Sequence, residues 1–153
     1  MQELSTLTMK FEKAMAAGKQ ARESYHVAVG AKLKAALDQN IDASGIHDDH
    51  GTVKRWQVAQ VGSGGGYVAI RATSIGDDGH PSPGRNSPGA VTNYLENGHA
   101  IRKASGKWKR KKSRIKKFHV DGRGFYLATR KQAQAIALQE ADRITAAIEE
   151  ALT

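Results

Sequence analysis

Cysteine is absent from this 153-residue chain, so neither a disulfide nor a thiolate metal site can form, and the composition suits folding in a reducing compartment. No apolar run approaches the ~20 residues a membrane-spanning helix needs, so no membrane partner is expected. Met1 to Ala17 lacks a basic start followed by an apolar block, and no secretory signal is expected there. Nucleophile motifs are missing too. There is no Gly-x-Ser-x-Gly, no thiol and no strong carboxylate pair, so the chain reads as a non-enzyme. The glycine run Gly62–Gly66 has no Lys-Ser/Thr ending and no helix after it, which argues against a phosphate loop, and no cofactor is expected. Proline is confined to 76–89, where all three copies fall among Asp77, Asp78, Gly79, Ser82, Gly84, Asn86 and Ser87. That composition marks a mobile surface loop, ordered on contact with a neighbour.

The length fits one domain, residues 1–153, with a single core. The formal net charge is +9, from 24 basic and 15 acidic residues. Arg102 to Lys117 holds ten Lys or Arg and no acid, and the rest of the chain has 14 basic against 15 acidic residues. The excess is therefore one local feature, and a localised basic stretch points to an anionic partner.

Leu4, Leu7, Phe11, Met15, Gly18, Tyr25, Val29, Leu33 and Leu37 recur at three- and four-residue spacing and predict a long helix ending at Asp38-Gln39-Asn40. Gly18 and Gly30 inside it imply a close crossing or a bend. The helix is longer than a small sheet can cover, so part of its face is a candidate subunit contact. Val53–Val61 and Tyr67–Ser74 read as two strands of a hairpin, with Val68, Ile70 and Ala72 on one face. Ala90–Asn97 is a short helix with Gly98 as its left-handed stop. A final helix is expected over Thr129–Leu152, opened by a Thr129/Gln132 capping box. Its buried stripe is Ala133, Ile136, Ala137, Ala141, Ile144, Ile148 and Leu152, with Leu138 lying off it. The fold class is α+β: an antiparallel sheet of about four strands packed against a long N-terminal and a C-terminal helix.

His47-Asp48-Asp49-His50 is the one compact set of possible zinc or manganese ligands, and a metal-dependent nuclease would have to use it. Neighbouring loop residues rarely all face one ion, and no second ligand group is evident. The set reads as a solvated turn, with no metal expected. His26 reads as a surface or packing residue, and His80 belongs to the loop. His99, His119 and Asp121 flank the arm and could supply a base and its orienter.

The arm, 102–117, has three readings. Lys107, Lys109, Arg110, Lys111, Lys112 and Arg114 could neutralise phosphates while Trp108 stacks on a base. Together with Arg102, Lys103, Lys116 and Lys117 they could dock on an acidic neighbouring subunit. They could also be a solvated loop.

The order of elements resembles the head–tail joining and tail-completion (tail-terminator) proteins of tailed bacteriophages and prophages. The features that carry the likeness are the long first helix, the hairpin, the stretch Tyr94-Leu95-Glu96-Asn97-Gly98-His99, the arm, the turn Gly122-Arg123-Gly124-Phe125-Tyr126 and the closing helix. In many members of that family the arm is shorter and a Pro-rich turn leads into the last helix. The resemblance implies a non-enzymatic virion subunit at the neck or tail, assembled in the host cytoplasm. Such subunits form a ring, often hexameric, with tail tube and head–tail connector proteins as partners and DNA passing through the lumen. Within it, Tyr94, Leu95, Gly98 and Phe125 are expected to anchor the fold, and 102–117 to form the interface.

Overall fold

Residue 30 explains how the first helix can be so long. In the computed structural model, which describes residues 2–101 and 119–152, α1 runs unbroken over Gln2–Ala43. A Cβ on Gly30 would lie 2.8 Å from Val68 Cγ2, so the hairpin crosses the helix where a side chain would collide. At Gly18 the neighbour is Ile148 of the last helix, at an ordinary 3.8 Å. Both glycines therefore mark crossings, and neither breaks the helix.

Asp38-Gln39-Asn40 does not end α1. The apolar stripe continues through Leu37 to Ile41, both fully buried, and the helix follows it for one more turn. Gly45, at φ +71°, turns the chain away. Asn40 instead faces the last helix, and its amide donates to Thr129 Oγ1 at 2.9 Å.

The expected strand Val53–Val61 is shared between two elements. Thr52–Trp56 forms α2, one helical turn, and only Gln57–Val61 forms β1. Asp48 is the cause. Its carboxylate accepts from Val53 N at 3.0 Å and Lys54 N at 3.1 Å, meeting the open amides of a helix start. Those hydrogen bonds outweigh the strand preference of a few residues. β1 pairs antiparallel with β2, Val68–Ala72, from Val61↔Val68 to Gln57↔Ala72, across the glycine-rich link. Val68, Ile70 and Ala72 are half-buried while Ala69 and Arg71 face out, where Arg71 donates to Gln60 of β1.

The loop 76–89 makes contacts within its own chain. Ile75 bridges to Pro81, Ser82 N donates to Ser74 O at 3.0 Å, and Trp56 Nε1 donates to Asp77 at 3.2 Å. It leads into α3, Pro88–Asn97. The Ser87 hydroxyl caps α3 by accepting from Ala90 N, and Pro88 sits at the first helical position, where no amide is missed. Then come β3, Gly98–Ala100, and β4, His119–Asp121, which pair antiparallel with each other. Among the described residues the four strands thus form two two-stranded antiparallel sheets.

The last helix, α4, spans Phe125–Leu152 and runs antiparallel to α1. Thr129 does not open it. Thr129 lies one turn inside, buried, with its hydroxyl donating to Phe125 O at 2.8 Å. Leu138 is exposed, and the half-buried stripe from Ala133 to Ile148 faces α1. The centre of the core is Leu37, Ile41, Val53 and Phe125, with Ile46, Trp56, Ile70, Leu95 and Tyr126 packed around it. It sits at the C-terminal end of α1, next to the roots of the arm. Among the described residues no helix is long and apolar enough to cross a membrane.

Candidate docking arm and its mounting

The arm residues Arg102, Lys103, Lys107, Trp108, Lys109, Arg110, Lys111, Lys112, Arg114, Lys116 and Lys117 lie outside the described residues. Their roots do not. Ala100 pairs with His119, His99 with Val120 and Gly98 with Asp121, so the chain leaves and re-enters the fold side by side. The arm is therefore an insertion between two paired strands.

The base of that pair is a clasp made of backbone. Gly98 has φ +76° and ψ 176°, a conformation open in practice to glycine alone, and not the left-handed helical stop expected there. A Cβ at Gly98 would stand 2.3 Å from Val120 O, and one at Gly122 would stand 2.3 Å from Glu96 O. Two main chains thus touch with no room for a side chain. Arg123 N donates to Leu95 O at 2.8 Å, and Gly124 N to Glu96 O at 3.2 Å, tying the end of α3 to the start of α4.

Glu96 completes the joint. Its two carboxylate oxygens accept from Tyr126 N at 2.9 Å and Leu127 N at 3.0 Å, so a residue of α3 caps α4. α4 has no acidic residue in its own first turn, and Gly124 before it has no side chain to offer. The cap places a negative charge at a helix N-terminus, where the aligned peptide dipoles favour it. Beside it Tyr126 OH donates to Gln57 Oε1 at 2.6 Å. The Gln57 amide donates in turn to Val53 O at 2.9 Å and Thr92 Oγ1 at 3.1 Å. Gln57 and Thr92 are buried, and this chain of bonds satisfies them while joining α2, β1, α3 and α4. Burial, and secondarily the Glu96 carboxylate, push the Tyr126 phenol up to about 12.

Of the proposed anchors, Phe125 is 1% exposed in the core and Leu95 packs half-buried against it. Tyr94 is 38% exposed, with its ring 5.4 Å from that of His99. Gly98 is the crowded position of the clasp. Sequence reasoning passed over Glu96, Gln57 and Tyr126 as a connected group. Glu96 stood inside the Tyr94–His99 stretch, but its partner amides are 30 and 31 positions away.

The other candidate clusters are not assembled. Strand alternation puts His99 on one face of β3–β4 and His119 with Asp121 on the other. His47 and Asp49 are exposed, with 3.9 Å between the nearest atoms, and Asp48 is engaged in capping α2. Among the described residues no three His, Asp or Glu converge as metal ligands. A cleft of about 410 Å³ between β2 and α3 is lined by Arg71, Asn93, Glu96, Asn97 and Tyr126. Among the described residues its lining cation, Arg71, is already bonded to Gln60, and its carboxylate to α4. Comparison with protein-family models, curated proteins and solved structures finds no match to this chain.

Proposed function

We propose that this chain is a structural subunit of a tailed-phage virion. It assembles into a ring at the neck or tail terminus, joins the tail tube to the head and leaves a passage for DNA. The observation that carries this reading is the way the cationic insertion is mounted. Ten positive charges enter and leave through paired strands whose base is pinned by Gly98, Gly122 and the Glu96 cap. A solvated surface loop needs no such base. A segment that must present charge to a neighbour from a fixed position does. The nearly neutral remainder of the chain supports the same division, with a body that folds and an arm that docks. The order of elements agrees with the head–tail joining and tail-completion resemblance. A head-to-tail contact between arm and neighbouring body closes into a ring when its rotation closes.

Electron microscopy and mass measurement of the purified protein test this, alone and mixed with candidate tail-tube or connector proteins. Rings are expected in at least one condition. They are expected to disappear when Lys109, Arg110, Lys111 and Lys112 are changed to Ala, with helix content unchanged. Monomers under every condition overturn the proposal.

The density of charge in the arm also favours a second reading, a nucleic-acid-binding module. Six phosphate contacts would give a slope of about −5 in log affinity against log salt on duplex DNA. If the four-alanine variant binds DNA as well as the parent, that reading is rejected.

A further inference from the structure

Among the described residues β2 has a strand partner on one side only. Thr73 N donates to Trp56 O at 2.7 Å and Gly62 N to Tyr67 O at 2.9 Å, so the odd-numbered residues of β2 are the ones that bond β1. The main-chain N–H and C=O groups of Val68, Ile70 and Ala72 therefore point the other way, and no described residue bonds them. The cleft of about 410 Å³ lies along this edge, with β2 on one side and the Gly89, Asn93 and Asn97 face of α3 on the other. Ile70 and Tyr126 also border a second hollow of about 140 Å³, lined by Leu33, Leu37 and Ala133. Asn97 Nδ2 donates to Asn93 Oδ1 at 2.8 Å, which leaves the Asn93 amide donors and the Asn97 amide oxygen without a partner among the described residues.

We infer that this edge receives an extended peptide segment of a partner protein, held as a third strand between β2 and α3. A row of alternating N–H and C=O groups is matched by another extended backbone and by little else. A nucleic-acid strand brings phosphate acceptors without a regular row of donors, so the carbonyls of the edge would stay unmet. A segment paired with β2 turns alternate side chains to the same face as Val68, Ile70 and Ala72. The one opposite Ile70 enters the smaller hollow, which takes a single apolar side chain. The Asn93 and Asn97 amides then meet the outer backbone edge of the segment from α3. Two features choose the occupant. α3 lines the far side of the cleft, so one strand enters, and the β2 of a second copy, with its own α3 alongside, does not. Arg71, whose bond is to the uncharged Gln60, and Arg130 give the site a positive border, while both Glu96 oxygens are taken by α4. A border of that sign repels a cationic segment such as 102–117 and favours a neutral or acidic one. The assignment uses no residue of the arm, so it stands whether or not a ring forms.

Selection of displayed random peptides of about ten residues, long enough to span the edge, against the full chain tests this. Enriched peptides are expected to alternate apolar and polar residues, to carry Asp or Glu, and to lack proline at pairing positions. In hydrogen exchange a peptide of that set is expected to slow the amides of Ile70 and Ala72, while those of Ala69 and Arg71, already turned to β1, stay as they were. Gly89→Leu fills the cleft. A Cβ at Gly89 meets nothing within 4 Å, and the residue sits in the first turn of α3, so the variant is expected to fold and to lose affinity at least about tenfold. Ala72→Pro removes one outward N–H and none of the bonds to β1, and is expected to weaken binding about fivefold. Recovery of no peptide, of peptides rich in Lys and Arg, or of peptides that bind Gly89→Leu as tightly as the parent overturns the inference. So does binding that leaves the Ile70 and Ala72 amides unprotected. A rise in mass with concentration that Gly89→Leu abolishes puts a second copy in the cleft and overturns the choice of occupant. The four-alanine arm variant is expected to bind the same peptides equally well, so failure of the ring and failure of this site are read separately.

Discussion

Replacing Glu96 by alanine tests the joint between α3 and α4 at its one charged contact. The carboxylate makes hydrogen bonds of 2.9 and 3.0 Å to two amides that no helical carbonyl can satisfy. Removing a capping side chain costs about 0.5–2 kcal/mol. Loss of the negative charge at the helix start adds about 0.3–1 kcal/mol. Both amides are carried by half-buried or exposed residues, so water replaces part of the loss, and about 2 kcal/mol is the expected total. For a chain of this size that corresponds to a fall of about 4–8 °C in melting temperature. Glu96→Gln keeps the shape and one acceptor oxygen, and should lose about half as much. Urea unfolding followed by circular dichroism measures the total, and amide hydrogen exchange locates it. Exchange at Tyr126 and Leu127 should accelerate in Glu96→Ala, while amides in the middle of α1 change no more than global stability requires. A loss under ~0.5 kcal/mol, the range of a neutral surface substitution, with exchange at those two amides unchanged, would refute the idea that α3 caps α4.

Phe125→Ala removes the largest fully buried side chain among the described residues, from a core centred on Leu37, Ile41, Val53 and Phe125, and should cost about 3–5 kcal/mol by chemical denaturation. Absorbance titration near 295 nm should show Tyr126 ionising at about 12, and Glu96→Gln should bring it down. The raised value means that the folded state keeps a proton the unfolded chain loses above pH 10. The associated stability is thus complete below pH 10 and lost between pH 10 and about 12, amounting to about 1 kcal/mol once solvent screening at this half-buried site is allowed for. Glu140 is buried between Lys32, which holds its carboxyl below the usual range, and Arg143, which adds to that effect against the opposing influence of burial. Its contribution is present above the ordinary carboxylate range and fades as acid protonates it. Melting temperatures of Glu140→Gln and parent should therefore differ near neutrality and converge toward pH 3.

What the sequence disclosed and what it hid divide along the distance between partners. α1 was legible because its period repeats over ten turns, and each turn repeats the same evidence. The β1–β2 hairpin was legible because its signal, a glycine-rich link between β-branched runs, is contained in about twenty residues. Thr52–Trp56 was misread because the side chain that makes it helical, Asp48, lies upstream in what looked like a polar connection. The start of α4 was misread for a stronger version of the same reason. Thr129 and Gln132 satisfy the local pattern for a cap, while the residue that caps the helix belongs to α3.

The same distinction explains why the arm was conspicuous and its mounting was not. Charge is additive, so ten cations stand out in any count. A clasp is relational: Gly98 and Gly122 matter because each lacks a side chain where the other segment's backbone passes. With 102–117 lying between them in sequence, nothing local connects the two. Once the strands are paired, both glycines and Glu96 become parts of one joint, and that joint gives the arm a fixed origin. A fixed origin limits the partners the arm can meet. On the docking role proposed above, a cationic segment on a floppy root would bind any anion within reach, whereas one rooted between α3 and α4 would favour an anionic surface held at a defined distance from the body. If the proposed ring assembly depends on that fixed origin, lengthening the base of the arm by a few glycines on each side should leave general affinity for anions intact and reduce the rings seen by electron microscopy.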